Sequence, residues 1–142
     1  MRILAVDLGK ARTGLAICDA DERLASPAGV IADRNWESLA QKIATRADSG
    51  AVGCIVVGLP RNMDGSEGES AQNARSFAEN LQKMVEMPVV LRDERGTTLT
   101  AHGYLNVTNT RGKKRKAVVD AVAATIILQD YLDYRRNCRE KE

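Results

Sequence analysis

Carboxylates at three places in the chain could do chemistry together: Asp7, the adjacent pair Asp93 and Glu94, and Asp120. A carboxylate among apolar residues is costly unless it pairs with a cation or coordinates a metal. Hard cations such as Mg²⁺ and Mn²⁺ take oxygen ligands and bridge carboxylates to substrate phosphates. Two such ions, about 4 Å apart, can activate a water and stabilise the leaving oxygen of a phosphodiester. The three places therefore predict a Mg²⁺ or Mn²⁺ site for phosphodiester chemistry, provided that the fold brings them together.

The first carboxylate interrupts an apolar run at residues 2–9, which predicts a buried strand. Side chains alternate across a strand, so Ile3, Ala5 and Asp7 share one face. Residues 9–14 predict a tight turn into a second strand, with a glycine at each end that lets the backbone approach a ligand. The alternative is that Asp7 only caps this hairpin through backbone amides.

Asp120 lies in a predicted final helix, from about residue 116 to residue 136, and the segment 117–128 around it is apolar nearly all round. Its neighbours one and two turns later are Ala124 and Ile127, so the stripe that contains it should be packed. The alternative is structural, because Lys116 stands one turn earlier and could pair with it.

Asp93 and Glu94 end a predicted fifth strand. Adjacent strand residues point to opposite faces, so only one of the two can face the site. Arg92 and Arg95 flank the pair, and the other acid could pair with one of these arginines.

The order of elements predicts an α/β fold. The pattern is β-β-β-α-β-α-β-α, with one extra short helix at about 97–105 before the last. Short turns make the first three strands antiparallel, whereas the later helices imply crossovers and parallel pairing. The expected architecture is a mixed five-stranded sheet, three antiparallel strands then two parallel, flanked by helices. It should form one domain over residues 1–137, with a charged, frayed tail at 138–142.

Local signals set the predicted helix ends. Asp33 or Asn35 should cap the first helix, whose apolar spacing starts at Trp36. The second helix is expected over residues 70–84. Its predicted inner stripe is Ala74, Phe77, Ala78, Leu81 and Met84.

Composition excludes several classes of protein. The 142 residues are 44% hydrophobic and 28% charged, which is typical of a globular domain. No apolar run approaches the roughly 20 residues that span a bilayer, so no membrane partner is expected. The three cysteines are far apart and show no zinc spacing, and His102 is the only histidine. These features favour a cytoplasmic protein without His-rich zinc chemistry.

Basic residues predict a polyanionic partner more through their positions than through the net charge of +2. Residues 111–116 hold five positive charges in six positions, which is typical either of a solvated loop or of a surface that binds a phosphate backbone. The candidate nucleic-acid contacts are Lys10, Arg12, Arg61, Asn62, Arg95, Lys113, Lys114, Arg115 and Lys116.

Four segments resemble the YqgF family, the Holliday-junction-resolvase-like proteins assigned as pre-16S rRNA nucleases. These segments are residues 7–9, 57–65, 93–98 and 120–124, in order along nearly the whole chain. The resemblance implies a ribonuclease H-like fold, a divalent metal and phosphodiester hydrolysis. It further implies cytoplasmic maturation of the 5′ end of 16S ribosomal RNA. On the matching positions the metal ligands would be Asp7, Glu94 (or Asp93) and Asp120.

The chain departs from the pattern at two places. The family usually has leucine after the Asp-Glu-Arg segment, where this chain has Gly96, which leaves the direction of Glu94 open. The resolvase relatives carry an acid on the fourth strand, but residues 54–58 contain none. The site should therefore differ from theirs.

The leading interpretation is a metal-dependent nuclease for structured RNA, as a monomer or weak homodimer. The first alternative is a Holliday junction resolvase for branched DNA, which would need a two-fold dimer. Another is a nucleotide-binding module of the actin and sugar-kinase type, although the chain is too short for a second lobe. The last is a nucleic-acid-binding protein whose catalytic site has decayed.

Overall fold

A computed structural model describes residues 1–60, 64, 66–93 and 112–140, and within the last range it describes the side chains of residues 121–138. The elements are β1 (Arg2–Asp7), β2 (Thr13–Cys18), β3 (Ala25–Ile31), α1 (Trp36–Ser49), β4 (Val52–Leu59), α2 (Glu69–Gln82), β5 (Val89–Asp93) and α3 (Gly112–Glu140). The short helix predicted at 97–105 lies outside the described residues.

The five strands form one mixed sheet in the order β3-β2-β1-β4-β5. Strands β1, β2 and β3 pair antiparallel, whereas β4 is parallel to both β1 and β5. This confirms the predicted sheet of three antiparallel strands followed by two parallel strands. Because β1, β4 and β5 run in the same direction, their carboxyl ends meet at one edge of the sheet.

Each face of the sheet is covered by a different set of helices. Helices α1 and α2 cover one face, where Leu4 and Val6 of β1 are buried. Helix α3 covers the other, where Ile3 and Ala5 of the same strand are buried. The alternation predicted for β1 is therefore confirmed, and the sheet is the middle layer of three. The residues of α3 buried on its face are Ala124, Ile127, Leu128 and Leu132.

Helix α1 begins and ends on local hydrogen bonds. The Asn35 side chain accepts a hydrogen bond from the backbone N–H of Ser38 at 3.1 Å, so Asn35 is the capping residue. Asp33 accepts the N–H of Asn35 at 2.9 Å and supports the same turn. At the other end, the N–H of Gly50 donates to the Arg46 carbonyl at 2.9 Å.

Helix α2 ends earlier than the sequence predicts. It closes at Gln82, with Lys83 as the cap, and Met84 is 40% exposed instead of part of the inner stripe. The stripe residues Ala74, Phe77, Ala78 and Leu81 are buried as predicted. Apolar spacing alone overestimated the helix because Met84 fits the helical period but follows the cap.

Helix α3 is longer than predicted at both ends. It begins at Gly112 instead of Lys116 and continues through Glu140. The backbone of residues 113–116 thus belongs to its first turns, and the interpretation of these residues as a loop is wrong. Lysine and arginine are good helix formers, so the basic block can extend a helix whose apolar stripe starts later.

Candidate functional site

Asp7 is the last residue of β1, at the carboxyl edge of the sheet. It is half-buried and pairs in register with Gly14 of β2. It shares its face of the strand with Ile3 and Ala5, both of which are buried under α3. Asp7, in the central strand β1, therefore lies on the face of the sheet that α3 covers.

The turn after Asp7 depends on the absence of a side chain at Gly9. A Cβ atom there would overlap the backbone carbonyl oxygen of Arg12. The N–H of Gly9 donates to the hydroxyl of Thr13 at 3.4 Å, and Thr13 is completely buried. The hairpin is therefore tight, and it holds Lys10 at an exposed position beside the end of β1.

Helix α3 runs antiparallel to β1. Arg135, near its carboxyl end, donates to the carboxylate of Glu22 at 2.6 Å. Glu22 lies in the turn after β2, and the end of β2 pairs with the beginning of β1, as the register of Ile17 with Leu4 shows. The amino-terminal half of α3 therefore extends toward the edge where Asp7 lies.

A second contact fixes the level of α3 along the strands. The side-chain oxygen of Gln129 accepts the backbone N–H of Ala25 at 3.1 Å. Ala25 pairs with Cys18, whose sulfur accepts the N–H of Ile3 at 3.2 Å. Gln129 is therefore level with Ile3.

Residue 120 lies on the amino-terminal side of Gln129 in α3. From residue 129 back to residue 120, the helix rises about 13 to 14 Å. From Ile3 to Asp7, the strand advances about 13 Å. The helix backbone therefore extends from residue 129 toward the edge of the sheet where Asp7 lies, and residue 120 belongs to this part of α3.

Asp93 lies at the same edge as Asp7 but on the opposite face. It ends β5 and pairs in register with Leu59 of β4. Val89 and Leu91 pack against the cluster under α1 and α2, so strand alternation places Asp93 with them. Arg92 lies on the α3 face and donates to Asp130 at 2.9 Å. Asp93 therefore does not share the face of Asp7.

The remaining predicted residues divide into three groups. Lys10 and Arg12 both lie in the hairpin after β1, at the carboxyl edge of the sheet. Four predicted residues lie outside the described residues: Arg61, Asn62, Glu94 and Arg95. For five more, the helix backbone alone is described: Asp120, Lys113, Lys114, Arg115 and Lys116.

The chemistry of the donors near this edge suits a hard cation. Asp7 offers carboxylate oxygens, whereas Cys18 and Cys54 lie beside Ile3, at the other end of β1. Burial raises the pKa of both thiols, which keeps them protonated and poor as ligands. Among the side chains that the structure describes, no group of three acids, histidines or cysteines could hold a metal. A complete site at this edge would therefore need ligands besides Asp7 from residues such as Glu94 and Asp120.

Two structural features, one beside the hairpin and one at the opposite end of β1, were not predicted from the sequence. One is a small cavity on the α1 and α2 side of the hairpin, lined by Leu8, Gly9, Lys10, Trp36, Ser70 and Asn73. The only sequence signal for it is the single tryptophan of the chain directly after a helix cap. The other is the pair of polar contacts at Gln129 and Arg135, which look like ordinary surface residues of a helix in the sequence. In the described part of the chain, no helix is long and apolar enough to cross a membrane.

Comparisons with known proteins identify the family. The family model described as "RuvX: Holliday junction resolvase" matches residues 1–134. A protein of Anaeromyxobacter sp., named "Putative pre-16S rRNA nuclease", is 46% identical over 95% of this chain and 98% of its own length. The Holliday junction resolvase of fowlpox virus superposes with a TM-score of 0.58 at 16% identity, over 94% of this chain and 99% of its own.

A second solved structure has the same architecture. Thermus thermophilus RuvC, in complex with a Holliday junction substrate, superposes with a TM-score of 0.55 at 14% identity, over 96% of both chains. Likenesses at such identities show the fold, which is ribonuclease H-like as predicted. The match over residues 1–134 and the 46% identity go further and confirm the predicted family. The chain belongs to the RuvX family, a family of nucleases that act on phosphodiester bonds and generally depend on divalent metal ions.

Proposed function

We propose that this protein is a Mg²⁺- or Mn²⁺-dependent nuclease that cleaves structured RNA and matures the 5′ end of pre-16S ribosomal RNA in the cytoplasm. The observation that carries the proposal is the position of Asp7 at the carboxyl end of the central strand, on the face covered by α3. The name of the 46% identical relative supports this choice of substrate.

The proposed metal ligands are Asp7, Glu94 and Asp120. Support for Asp120 comes from the direction of α3, whose amino-terminal half contains residue 120 and extends toward the edge where Asp7 lies. Strand alternation favours Glu94 over Asp93, because Arg92 lies on the α3 face and Asp93 on the other. Extended by one residue, this alternation predicts Glu94 on the same face as Asp7.

A bound Mg²⁺ or Mn²⁺ would supply a Lewis acid that activates water and stabilises the leaving oxygen of the phosphodiester. The three carboxylates would hold it in an orientation set by a strand, a strand end and a helix. Asp7 supports this role because it is half-buried after the apolar residues 3–6 of β1, where an ionised carboxylate is less costly to bury when a cation is its partner.

The phosphate backbone would be held at the same edge of the sheet. Lys10 and Arg12 extend from the hairpin that follows Asp7. Residues 113–116 lie in the first turns of α3, where the helix dipole also favours an anion. Arg61, Asn62 and Arg95 complete the proposed contacts, which position the substrate without reading its sequence.

The experiment compares carboxylate variants with Mn²⁺ on a 5′-extended 16S rRNA precursor. Asp7→Asn and Glu94→Gln should each slow cleavage roughly 100-fold or more, because each removes a group that stabilises charge in the transition state. Asp93→Asn is the matched control and should stay within about 10-fold of the wild-type rate. Cleavage by Asp7→Asn at the wild-type rate would refute the proposal.

The second candidate is a Holliday junction resolvase for branched DNA, which the description of the matching family favours. It uses the same carboxylates but needs two active sites related by the two-fold symmetry of the junction. Faster cleavage of a four-way DNA junction than of the RNA precursor, together with a dimer in sedimentation, would select it. A monomer that cleaves only RNA would reject it.

A further inference from the structure

Apart from the Arg92–Asp130 pair, whose side chains remain partly exposed, the contact between α3 and the sheet is almost entirely apolar. Its buried helix residues, Ala124, Ile127, Leu128 and Leu132, face a patch of the sheet that includes Ala5 and Ala16. Apolar burial is non-directional, so it holds a helix against a sheet without fixing its position along the helix axis.

One polar contact crosses this interface near its middle. The Gln129 side chain accepts the backbone N–H of Ala25, at the beginning of β3, at 3.1 Å. The amide nitrogen of Gln129 donates to Asp133 at 3.3 Å, which orients the oxygen toward Ala25. The first bond joins two residues that are 104 positions apart in the chain, and it connects α3 to the edge strand β3.

A second polar contact lies nearer the carboxyl end of α3. The Nε of Arg135 donates to Glu22 at 2.6 Å, and the Glu22 side chain is only 8% exposed. The Arg135 guanidinium also lies 5.8 Å from the centre of the Tyr131 ring, which restricts its rotamers. Glu22 has a positive φ of 58°, so its backbone is held in an uncommon conformation at this contact.

We propose that Gln129 and the Glu22–Arg135 pair are positioning residues, which set the register of α3 along the sheet and thereby hold residue 120 level with Asp7. This inference rests on the proposed function, in which Asp7 and Asp120 share a metal. Oxygen ligands lie about 2.0 to 2.6 Å from Mg²⁺ or a cation of similar hardness. A slip of one helical turn moves the helix by about 5.4 Å, which is more than twice that bond length.

The test removes the acceptor at Gln129 and measures helix position separately from metal binding. Gln129→Met keeps the length of the side chain but cannot accept the Ala25 N–H. Asp133→Asn is the matched control, because it changes the other partner of the same amide. Gln129→Glu in the Asp133→Asn background restores an acceptor oxygen without placing two carboxylates side by side. Arg135→Lys keeps the charge at the second contact but removes the guanidinium.

Mn²⁺ affinity is read from the electron paramagnetic resonance signal of the free ion. A ligand displaced through the helix should weaken Mn²⁺ binding as much as the loss of a ligand-orienting contact, by about 10- to 100-fold, in Gln129→Met and in Arg135→Lys. Helix position is read from the distance between nitroxide labels on the exposed Cys138 of α3 and on an exposed Gln41→Cys in α1. That distance should shift or broaden in Gln129→Met and return to the wild-type distribution in the restored variant.

The outcomes separate the two proposals. Wild-type affinity and an unchanged label distance in Gln129→Met would overturn the positioning role while leaving the nuclease proposal intact. Failure of the wild-type protein to bind Mn²⁺ would count against the proposed function. In that case the label distance would still decide whether Gln129 sets the helix register.

Discussion

At the scale of single residues, Asp7 matters most for the proposed function because it is the last residue of β1. Ile3 and Ala5 are completely buried on the same face, so a carboxylate two positions later reaches the boundary of the core at the carboxyl edge. Gly9 then turns the chain sharply enough to place Lys10 beside that carboxylate position. The proposed cation-binding group and the proposed phosphate-binding group thus come from residues only three positions apart.

Replacing Gly9 tests the tightness of this turn. Gly9→Ala should lower the free energy of unfolding by about 2 kcal/mol or more, because its Cβ would overlap the Arg12 carbonyl oxygen and the backbone must shift. Urea denaturation measures the change. Gly68→Ala is the control, since no atom lies within 4 Å of a Cβ at that position, and it should cost less than about 1 kcal/mol. Equal losses in both variants would contradict the account of the hairpin.

At the scale of elements, helices are held by polar contacts at a few defined positions. Helix α1 starts on the cap formed by Asn35, and Asp33 supports this cap while accepting Lys42 Nζ at 2.9 Å. Helix α3 combines an apolar face with the contacts of Gln129 and Arg135. In each case the apolar stripe decides which face is buried, and the polar contact decides where along the chain the helix sits.

The Asp33 contact predicts a dependence of stability on acid. The hydrogen bond from Lys42, followed by the N–H of Asn35, lowers the pKa of Asp33 from its ordinary value of 3.8 to about 2. Because the folded pKa is the lower one, the ionised group stabilises the protein fully above pH 3.8, and this contribution is lost as the pH falls through 2.

Thermal unfolding of wild type and Asp33→Asn from pH 6 to pH 2 measures this effect. The difference in Tm between the two proteins should be constant above about pH 4 and shrink toward pH 2. Lys42→Gln is the control. It removes the hydrogen bond that contributes most to the lowered pKa of Asp33, so in this background the Tm difference caused by Asp33→Asn should depend less on pH. A Tm difference that stays constant down to pH 2 would show that Asp33 does not titrate as described.

At the scale of the whole molecule, one sheet separates two hydrophobic cores that have different roles. The core under α1 and α2 is the larger and contains Phe77 and Leu39. The core under α3 is smaller, and it alone lies on the face that Asp7 shares. Substitutions in either core should therefore lower the stability of the protein, whereas the proposed metal site depends directly only on the core under α3.

A matched pair of core substitutions separates these tasks. Leu39→Ala and Leu128→Ala both remove a leucine that is completely buried, and each should cost about 2 to 5 kcal/mol of unfolding free energy. Only Leu128→Ala should also weaken Mn²⁺ binding, because Leu128 packs α3 against the sheet. Calorimetric titration at a temperature where both variants are folded measures this, and equal Mn²⁺ affinities would contradict the division of tasks.

Several features could be predicted from the sequence because their causes are local. Side chains alternate along β1, so Ile3, Ala5 and Asp7 lie on one face and Leu4 and Val6 on the other, regardless of which helix covers each face. The cap at Asn35 needs only a side-chain oxygen and the next turn of helix. The resemblance at residues 7–9 and 57–65 also predicted the family that the comparisons confirm. In contrast, the ends of α2 and α3 were misplaced, because apolar spacing does not mark where a helix caps.

The amino-acid sequence by itself determined the strand and helix types, the alternation within each strand and the acids that could bind a metal. Only the tertiary structure decided that α3 covers the face of Asp7, that Asp93 belongs to the opposite face, and that Gln129 is level with Ile3. The reason is physical: a side chain's face within a strand follows from backbone geometry, but the helix that covers that face depends on contacts between residues more than 100 positions apart.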